Sequence, residues 1–368
     1  MSKVLIVGGG LTSAVTASLL NKSIQIPNTE LCVWDKARGC GGRMSTSRLS
    51  SSLKITCSAD LGAQYITATS EYQRRHSKYY EELKSNELLT PLKLPIEGQK
   101  PNQHTTDYVC PSGSSSLVKH FFNKASVQVQ YDKRVTKIDT SEQQWRVSTQ
   151  YGDIESFDAV ILTMPVPQIL ELLSHTPEID IGNMQDPESL TSKLREVQYS
   201  SRYAIALLYD CDDENEKENI KNTVKLENGA CAKYIYGDSI FRYVSLDSYK
   251  RANTSNPSSS DMIPMSVVFH TSVPFGIEHM EKSPDDVKPL LLNHINEIFP
   301  KWPKPTAVKC QKWKYSQVQK AYSGEPGCLE LCKTPLLLAG GDGFTHSNFD
   351  GCIRSAEAVA NHFLQRNN

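Results

Sequence analysis

Residues 8–13 read Gly-Gly-Gly-Leu-Thr-Ser, which places Gly8, Gly10 and Ser13 in a Gly-x-Gly-x-x-Ser spacing. Glycines at the first two positions let a backbone turn tightly and come close to a pyrophosphate. A helix that opens directly after them aims its free amides and the positive end of its dipole at that pyrophosphate. The third position serves close packing of helix on strand, and Ser13 is nearly as small as the usual Gly or Ala. Asp35 follows 25 residues after Gly10, near the ~20 expected for the acid that holds a dinucleotide ribose. Read without that context, Asp35 would be a solvent-facing acid paired with Lys36.

Two further segments carry the same kind of chemistry. Arg38-Gly39-Cys40-Gly41-Gly42-Arg43 packs glycines and guanidinium groups into a run that is neither helix nor strand. Backbone amides and an arginine there can meet a charged or planar ligand. Asp60-Leu61-Gly62-Ala63-Gln64-Tyr65 puts two small residues where a large ring could approach the chain. Near the C-terminus, Pro335 to Asp342 reads as a buried strand ending in Gly340-Gly341-Asp342, and Gly351 is expected to open a helix through Phe363. This second strand–glycine–helix site lies at the opposite end of the chain. Together the two suit an extended cofactor.

The elements that must position these residues are legible around them. Lys3–Val7 is a β-rich run, Leu11–Leu20 has helical apolar spacing, and Glu30–Asp35 is a second strand. Residues 157–164 read as one buried strand ending at Pro165. Residues 285–299 read as a helix capped by Ser283, with Pro289 expected to disturb its middle. The polar stretches 212–222 and 253–261 read as loops. Met1–Leu20 superficially resembles a secretory signal, but cleavage there would remove the first strand and helix.

Composition bounds the rest. The 368 residues carry 40 Lys plus Arg against 41 Asp plus Glu, a net charge of −1 that argues against a nucleic-acid binder. Mean hydropathy is −0.42, and no apolar run reaches the ~18 residues of a membrane span. The ten cysteines are irregularly spaced with no Cys-x-x-Cys, so no metal site is expected and reduced thiols in a cytoplasmic protein are.

The stretches VLIVGGG, VWDKA, GGRMST, ADLGAQYIT, PIEG, ILTMPVPQIL, SSRYA, HTSVPFG, KCQKW and LLLAGGDGFTHSNFDGC run from residue 4 to residue 352. Through them the chain resembles the renalase family, within the FAD-dependent flavin amine-oxidase-like superfamily. The resemblance implies an α/β fold, with a Rossmann-like FAD-binding domain at 1–75, 108–170 and 305–368. A mixed α+β substrate domain would take 76–107 and 171–304, in the topology shared by p-hydroxybenzoate hydroxylase and the amine oxidases. It also implies oxidation of 2- and 6-dihydroNAD(P) isomers to NAD(P)+, with hydride passing to FAD and O2 reduced to H2O2.

Residue roles follow from the same resemblance. Gly8, Gly10 and Thr12 would serve the pyrophosphate, with Asp35 and Lys36 at the ribose and Val135 at the adenine. Gly42, Arg43, Gly62 and Ala63 would line the pyrophosphate or the flavin edge. Asp342 would hold the ribityl chain, and Phe349, Gly351 and Cys352 would lie near the isoalloxazine. Gln64, Tyr65, Arg202, Phe241, Arg242 and His270 would face the substrate, with Gln64, Tyr65 and His270 at the reacting ring. His270 is expected to orient the substrate rather than move a proton, because a dihydropyridine already holds a transferable hydride. Trp302 and Trp313 are pocket walls or core. Lys320 and Cys328 lack the surroundings of a flavin-side lysine or a flavin-linked cysteine, so the FAD is expected to be non-covalent. A flavin oxidase acting on a small amine, and a secreted non-enzymatic receptor ligand bearing the Asn21 and Asn253 sequons, are the alternatives. The leading expectation has a small-molecule substrate and O2 as partners, with no nucleic acid and no membrane.

Overall fold

Val4, Leu5, Ile6 and Val7 are all buried, which a strand achieves only when both faces of its sheet are covered. The strand Ser2–Val7 accordingly lies inside a six-stranded sheet. Its order is Cys328–Cys332, Leu336–Gly340, Ala159–Leu162, Ser2–Val7, Thr29–Trp34, Val129–Gln130. All neighbours run parallel except the edge strand Cys328–Cys332. The computed structural model describes residues 2–23, 29–50, 56–100, 104–141, 143–176, 189–209, 219–220, 222, 224, 226, 229–252 and 265–367. Asn253 and most of the two polar stretches fall outside these residues.

The chain forms two compact units. The first comprises Met1–Gly42, Leu117–Tyr199 and Gln317–Asn368, and the second Arg43–Ser116 and Ser200–Ser316. These bounds differ from those drawn on sequence for cofactor and substrate domains. Residues 43–75, 108–116 and 305–316 lie in the second unit, and 171–199 in the first.

In the first unit, the helix Leu11–Ser23 follows the first strand through the Gly8–Gly10 turn. A three-stranded antiparallel sheet, Val135–Ser141, Gln144–Thr149 and Ile154–Phe157, packs Trp145, Val147 and Phe157 into the same core as Trp34 and Leu162. The single strand expected over 157–164 is therefore two. Phe157 ends an antiparallel strand, Asp158 breaks the run, and Ala159–Leu162 enters the parallel sheet. Asp158 is engaged at that junction, its carboxylate accepting from the Lys3 amide at 2.6 Å.

In the second unit, a six-stranded sheet runs Ala307–Trp313, Arg202–Tyr209, Met265–Thr271, Phe241–Leu246, Ala232–Tyr234, Ile96–Glu97. One face packs Tyr203, Ile205, Leu207, Val267 and Phe269 against Val287, Leu291 and Ile295 of the helix Pro284–Ile298. The other face packs Ala204, Ala206 and Val268 against the hairpin Thr46–Ser50/Thr56–Asp60, through Leu49, Cys57 and Ala59. The helix Pro284–Ile298 is continuous through Pro289, contrary to the expected interruption. Ser283 and Asp286 form a reciprocal capping box at its start, and three buried apolar residues at helical spacing offset the lost backbone bond. No helix among the described residues is long and apolar enough to cross a membrane.

Candidate functional site

The turn after the first strand shows which glycine is small for the protein's sake and which leaves room. A Cβ on Gly8 would sit 2.6 Å from Thr163 Oγ1, and one on Gly9 would sit 2.6 Å from Asp35 Oδ2. A Cβ on Gly10 would meet nothing within 4 Å. Gly8 also has φ +116°, a backbone state that costs glycine alone nothing. The Gly9 amide donates to Asp35 Oδ2, and the Ala37 amide donates to Asp35 Oδ1 at 2.6 Å. Burial pushes the Asp35 carboxyl up, and these two amides pull it back down. Each carboxylate oxygen keeps a further lone pair for a hydroxyl donor.

The helix behind the turn begins with unspent donors. Its first bond to the turn is Ala14 N–H to the Gly10 carbonyl at 3.1 Å. Among the described residues the amides of Leu11, Thr12 and Ser13 have no acceptor. Ser13 is fully buried, as close packing of helix on strand requires. Cys40–Gly42 run over the turn, with Gly41 N–H donating to the Gly9 carbonyl at 2.8 Å.

The C-terminal strand brings a second turn to the same edge of the sheet, because Leu336–Gly340 and Ser2–Val7 both run parallel to Ala159–Leu162. Gly341 has φ +118°, and Asp342 is buried and accepts from Ser347 Oγ. The helix that follows spans Phe349–Asn367, starting two residues before the expected Gly351. Asn348 is its cap: its side-chain oxygen accepts from the Gly351 amide at 2.7 Å. Gly351 is small because a Cβ there would strike the His346 carbonyl oxygen. Thr12 Oγ1 donates to the Cys352 carbonyl at 3.4 Å. The first turns of the two helices, 340 positions apart in the chain, are thus neighbours.

The second unit gathers a separate set of polar groups. Gln64 is fixed on all four hydrogen-bonding directions of its amide. Its Nε2 donates to the carbonyls of Asp60 and Gly62, and its Oε1 accepts from Ser245 Oγ at 3.0 Å and Lys250 Nζ at 2.9 Å. Lys250 is fully buried and pairs with the equally buried Asp247 at 2.6 Å. Asp247 Oδ2 also accepts from Arg251 Nε at 2.9 Å and the Asp60 amide at 3.1 Å. Burial works against the Asp247 charge, but Lys250 and Arg251 outweigh it and hold this carboxyl below its usual range. Burial and the nearby Asp247 push Asp60 up.

Around this network stand aromatic and basic side chains. Tyr65 and Tyr234 share a hydroxyl hydrogen bond of 2.5 Å, and burial raises Tyr65 above an ordinary phenol. His270 lies in register with Ala204 and Tyr243, its ring edge-on to Tyr243 with centroids 5.9 Å apart. The residue is partly exposed, but its Nε2 is buried and has no partner among the described residues. Burial, then Arg202 and Lys250, lower its pKa to about 3. Arg202 Nη1 donates to the Thr271 carbonyl at 3.1 Å, and Arg242 Nη1 to the Ile235 carbonyl at 3.2 Å.

Residues 102–364 match the profile of the flavin containing amine oxidoreductases, and residues 6–83 match an NAD(P)-binding Rossmann-like domain. The chain is 43% identical to the renalase of Mus musculus over 359 residues, 98% of each protein. The chain belongs to the renalase branch of the flavin containing amine oxidoreductases. Its fold is also similar to that of a protein from Exiguobacterium sp. 255-15 proposed to be a protoporphyrinogen oxidase. That match has a TM-score of 0.65 at 13% identity and covers 98% of each chain. As a renalase-type flavoprotein oxidoreductase, the chain has a Rossmann-like unit and a mixed α+β unit. The first fits a flavin nucleotide: orphan amides at Leu11–Ser13, open space at Gly10 and a carboxylate at Asp35 are what such a ligand uses.

Within the first unit the fold brings Gly8, Gly10, Thr12, Asp35 and Gly42 together around one turn, with Cys352 tied to Thr12. Asp342, Phe349 and Gly351 belong to the adjoining C-terminal turn. Lys36 is exposed beside Asp35, and Val135 opens its strand at the rim of the core. Arg43, Gly62 and Ala63 lie in the second unit. The room expected at Gly62 is filled by the protein itself, since a Cβ there would strike the Arg43 carbonyl. Arg202, Tyr65, Gln64, Arg242 and His270 belong to the second unit's polar set, but Phe241 does not. It is fully buried on the opposite side, with its ring 4.8 Å from Phe269. A register slip between Phe241 and Tyr243 separates their faces. Trp302 stacks on Phe299 in the core, and Trp313 Nε1 donates to the Leu61 carbonyl at 2.7 Å. Lys320 is exposed and paired with Glu196. Tyr234, Tyr243, Asp247 and Lys250 went unread because a mid-strand tyrosine or a charged Asp-Ser-Tyr-Lys-Arg segment looks like ordinary strand or surface helix.

Proposed function

We propose that this flavoprotein oxidises the 2- and 6-dihydro isomers of NAD(P) to NAD(P)+, with non-covalent FAD as cofactor and O2 as the terminal acceptor, giving H2O2. The balance is dihydro-NAD(P) plus O2 plus H+ to NAD(P)+ plus H2O2. FAD, when bound, supplies the two-electron acceptor and the route to oxygen. In the first unit, the Leu11–Ser13 amides would take its pyrophosphate and Asp35 a ribose hydroxyl.

The observation that carries the reading is how the second unit's polar set is buried and bonded: His270 Nε2 is buried, Tyr65 shares its hydroxyl hydrogen bond with Tyr234, and Gln64 is held on every side. His270, with a pKa of about 3, is neutral at pH 7 and a very weak base. Tyr65 is held protonated by burial, and Gln64 has no hydrogen-bonding direction to spare. A histidine this weakly basic suits a donor that needs no deprotonation before it gives up hydride. Its residues would orient a ring through hydrogen bonds and contact surface. An amine substrate fits less well: it arrives as a cation, needs to lose a proton, and would meet Arg202 and Arg242.

The test is anaerobic mixing of the flavin-loaded protein with 6-dihydroNAD while the visible flavin band is followed. Bleaching on mixing, with recovery when oxygen is admitted and one H2O2 per NAD+, is the expected result. A flavin that stays oxidised with both isomers but bleaches with a small amine would overturn the proposal. Release of yellow cofactor on denaturation checks non-covalent binding.

A further inference from the structure

Among the described residues, no acid neutralises Arg202 or Arg242. Arg202 lies at the start of its strand and reaches across to the Thr271 carbonyl on the neighbouring strand. Thr271 is opposite Phe241 in the register, and Arg242 sits in the slip that follows. The Arg242 guanidinium lies over the Tyr236 ring, 4.0 Å from its centroid. The Thr271 carbonyl that Arg202 reaches lies opposite Phe241, the neighbour of Arg242, and burial, then the Arg242 charge, lower the pKa of Arg202. Both side chains are partly buried. Among the described residues neither has a carboxylate partner. The nearby acids are spent elsewhere: Asp238 accepts from His294 and from the Ile240 and Phe241 amides, and Glu97 pairs with Lys233.

Two like charges brought together with partial loss of water are unfavourable unless an anion completes them. Each guanidinium has five N–H donors and spends one on a backbone carbonyl, which leaves a donor surface on both. Planar forks of this kind match the oxygens of a phosphate, and two of them match a group with more than one negative charge. His270, neutral beside Arg202, adds no charge of its own. Tyr236 fixes the plane of Arg242, so little side-chain freedom is lost on binding.

We propose that Arg202 and Arg242 form a phosphate subsite that takes the phosphate or pyrophosphate of the substrate. The identity of that substrate rests on the function proposed above, whereas the anion site does not. The subsite makes the protein selective for dihydropyridine nucleotides over the bare dihydropyridine riboside, and it repels cationic amines.

The direct test is calorimetric titration of flavin-loaded protein with inorganic pyrophosphate, so that the cofactor's own pyrophosphate position is filled. Binding that weakens with added salt, and that falls by about 10-fold or more in R202Q and in R242Q, is expected from losing hydrogen bonds to a charged group. R202K, which keeps the charge but not the fork, should fall between. Flavin absorbance and melting midpoint report whether each variant is folded; R242Q, on a partly exposed side chain, is the safer one. Pyrophosphate binding that is absent, or unchanged in both glutamine variants, overturns the subsite. The second arm compares the 6-dihydro riboside, mononucleotide and dinucleotide as substrates. A gain in kcat/KM on adding the first phosphate, lost in the variants, supports the assignment; equal kcat/KM for riboside and mononucleotide overturns it. Arginine-dependent pyrophosphate binding without oxidation of any of the three would uphold the anion subsite and refute the isomer-oxidase function.

Discussion

Replacing Lys250 with Met isolates the energetic role of the buried charge network under Gln64. Methionine keeps most of the unbranched stem and removes the ammonium. Asp247 then retains Arg251 and the Asp60 amide on Oδ2 but loses the ion-pair partner of Oδ1. Two buried carboxylates, Asp60 and Asp247, face one cation. Removing one partner of a buried pair costs about 3–5 kcal/mol, because the other charge is left without compensation. Gln64 Oε1 keeps Ser245 as a donor, so its loss adds little, and roughly 4 kcal/mol is a fair total. For a unit of this size that corresponds to a fall in melting midpoint of about 8–16 °C. Calorimetry and urea unfolding of the flavin-loaded protein measure it. The pH dependence has a definite sign. The Asp247 carboxyl lies below its usual range. Its contribution is therefore present above the unfolded value of ~3.9 and is lost as pH falls through the folded value. Without Lys250 the folded value rises, so Asp247 loses less stability on acidification and the cost of the substitution should shrink as pH falls. Adding Asp247→Asn to Lys250→Met should restore part of the loss, since the uncompensated charge is gone. A cost under about 1 kcal/mol, or a double variant no better than the sum of the singles, would refute the reasoning.

The nucleotide turn and the C-terminal cap give three more expectations. Gly10→Ala should change stability by no more than about 1 kcal/mol yet weaken flavin retention, because the space at Gly10 is empty of protein; gel filtration with flavin quantitation separates the two effects. Gly9→Ala should instead destabilise by about 1–3 kcal/mol, since its Cβ would push on the Asp35 carboxylate that the Gly9 amide holds. Asn348→Ala removes the acceptor of the Gly351 amide and should cost about 1 kcal/mol in urea unfolding. The depressed pKa of His270, about 3, means that the unfolded chain takes up the proton first as pH falls. Relative to His270→Asn, the native protein should lose roughly 1 kcal/mol per pH unit below ~6.5 until the folded value near 3 is reached.

The first unit was legible because its signals are local. Strand, Gly8–Gly10, helix and Asp35 occur in order within the first 35 residues, and each constrains the others. The C-terminal turn was legible for the same reason, except that Asn348 rather than Gly351 sets the helix start. What sequence could not convey was which empty space belongs to a ligand. Gly9, Gly62 and Gly351 look as permissive as Gly10, but the Asp35 carboxylate, the Arg43 carbonyl and the His346 carbonyl fill their room. The division of the chain was similarly hidden, because both units are assembled from separated segments, and the Gly/Ser-rich joins at 39–42 and 111–116 have no such counterpart at 199 and 316.

The second unit resisted reading because its chemistry depends on cross-strand register. Arg242, Tyr243 and His270 are adjacent only because the strands Phe241–Leu246 and Met265–Thr271 pair antiparallel with one slip. Without that slip, the simple alternation of a strand would put Phe241 on the face of Tyr243. The slip instead sends Phe241 to the core and leaves Arg242 at the irregularity, from which it joins Arg202. Burial first, then Arg202 and Lys250, make His270 neutral. Neutrality at His270 and surplus positive charge at Arg202–Arg242 therefore share one residue, Arg202, and not one register slip. Deleting Arg242 would make Phe241 and Tyr243 consecutive, so Phe241 would stay opposite Thr271 on the core face and only the bulged residue would be lost. The deletion should therefore abolish anion binding yet leave His270 neutral, because its burial, Arg202 and Lys250 remain. Histidine NMR titration of the deletion variant checks this, and a His270 that recovers an ordinary titration would refute it.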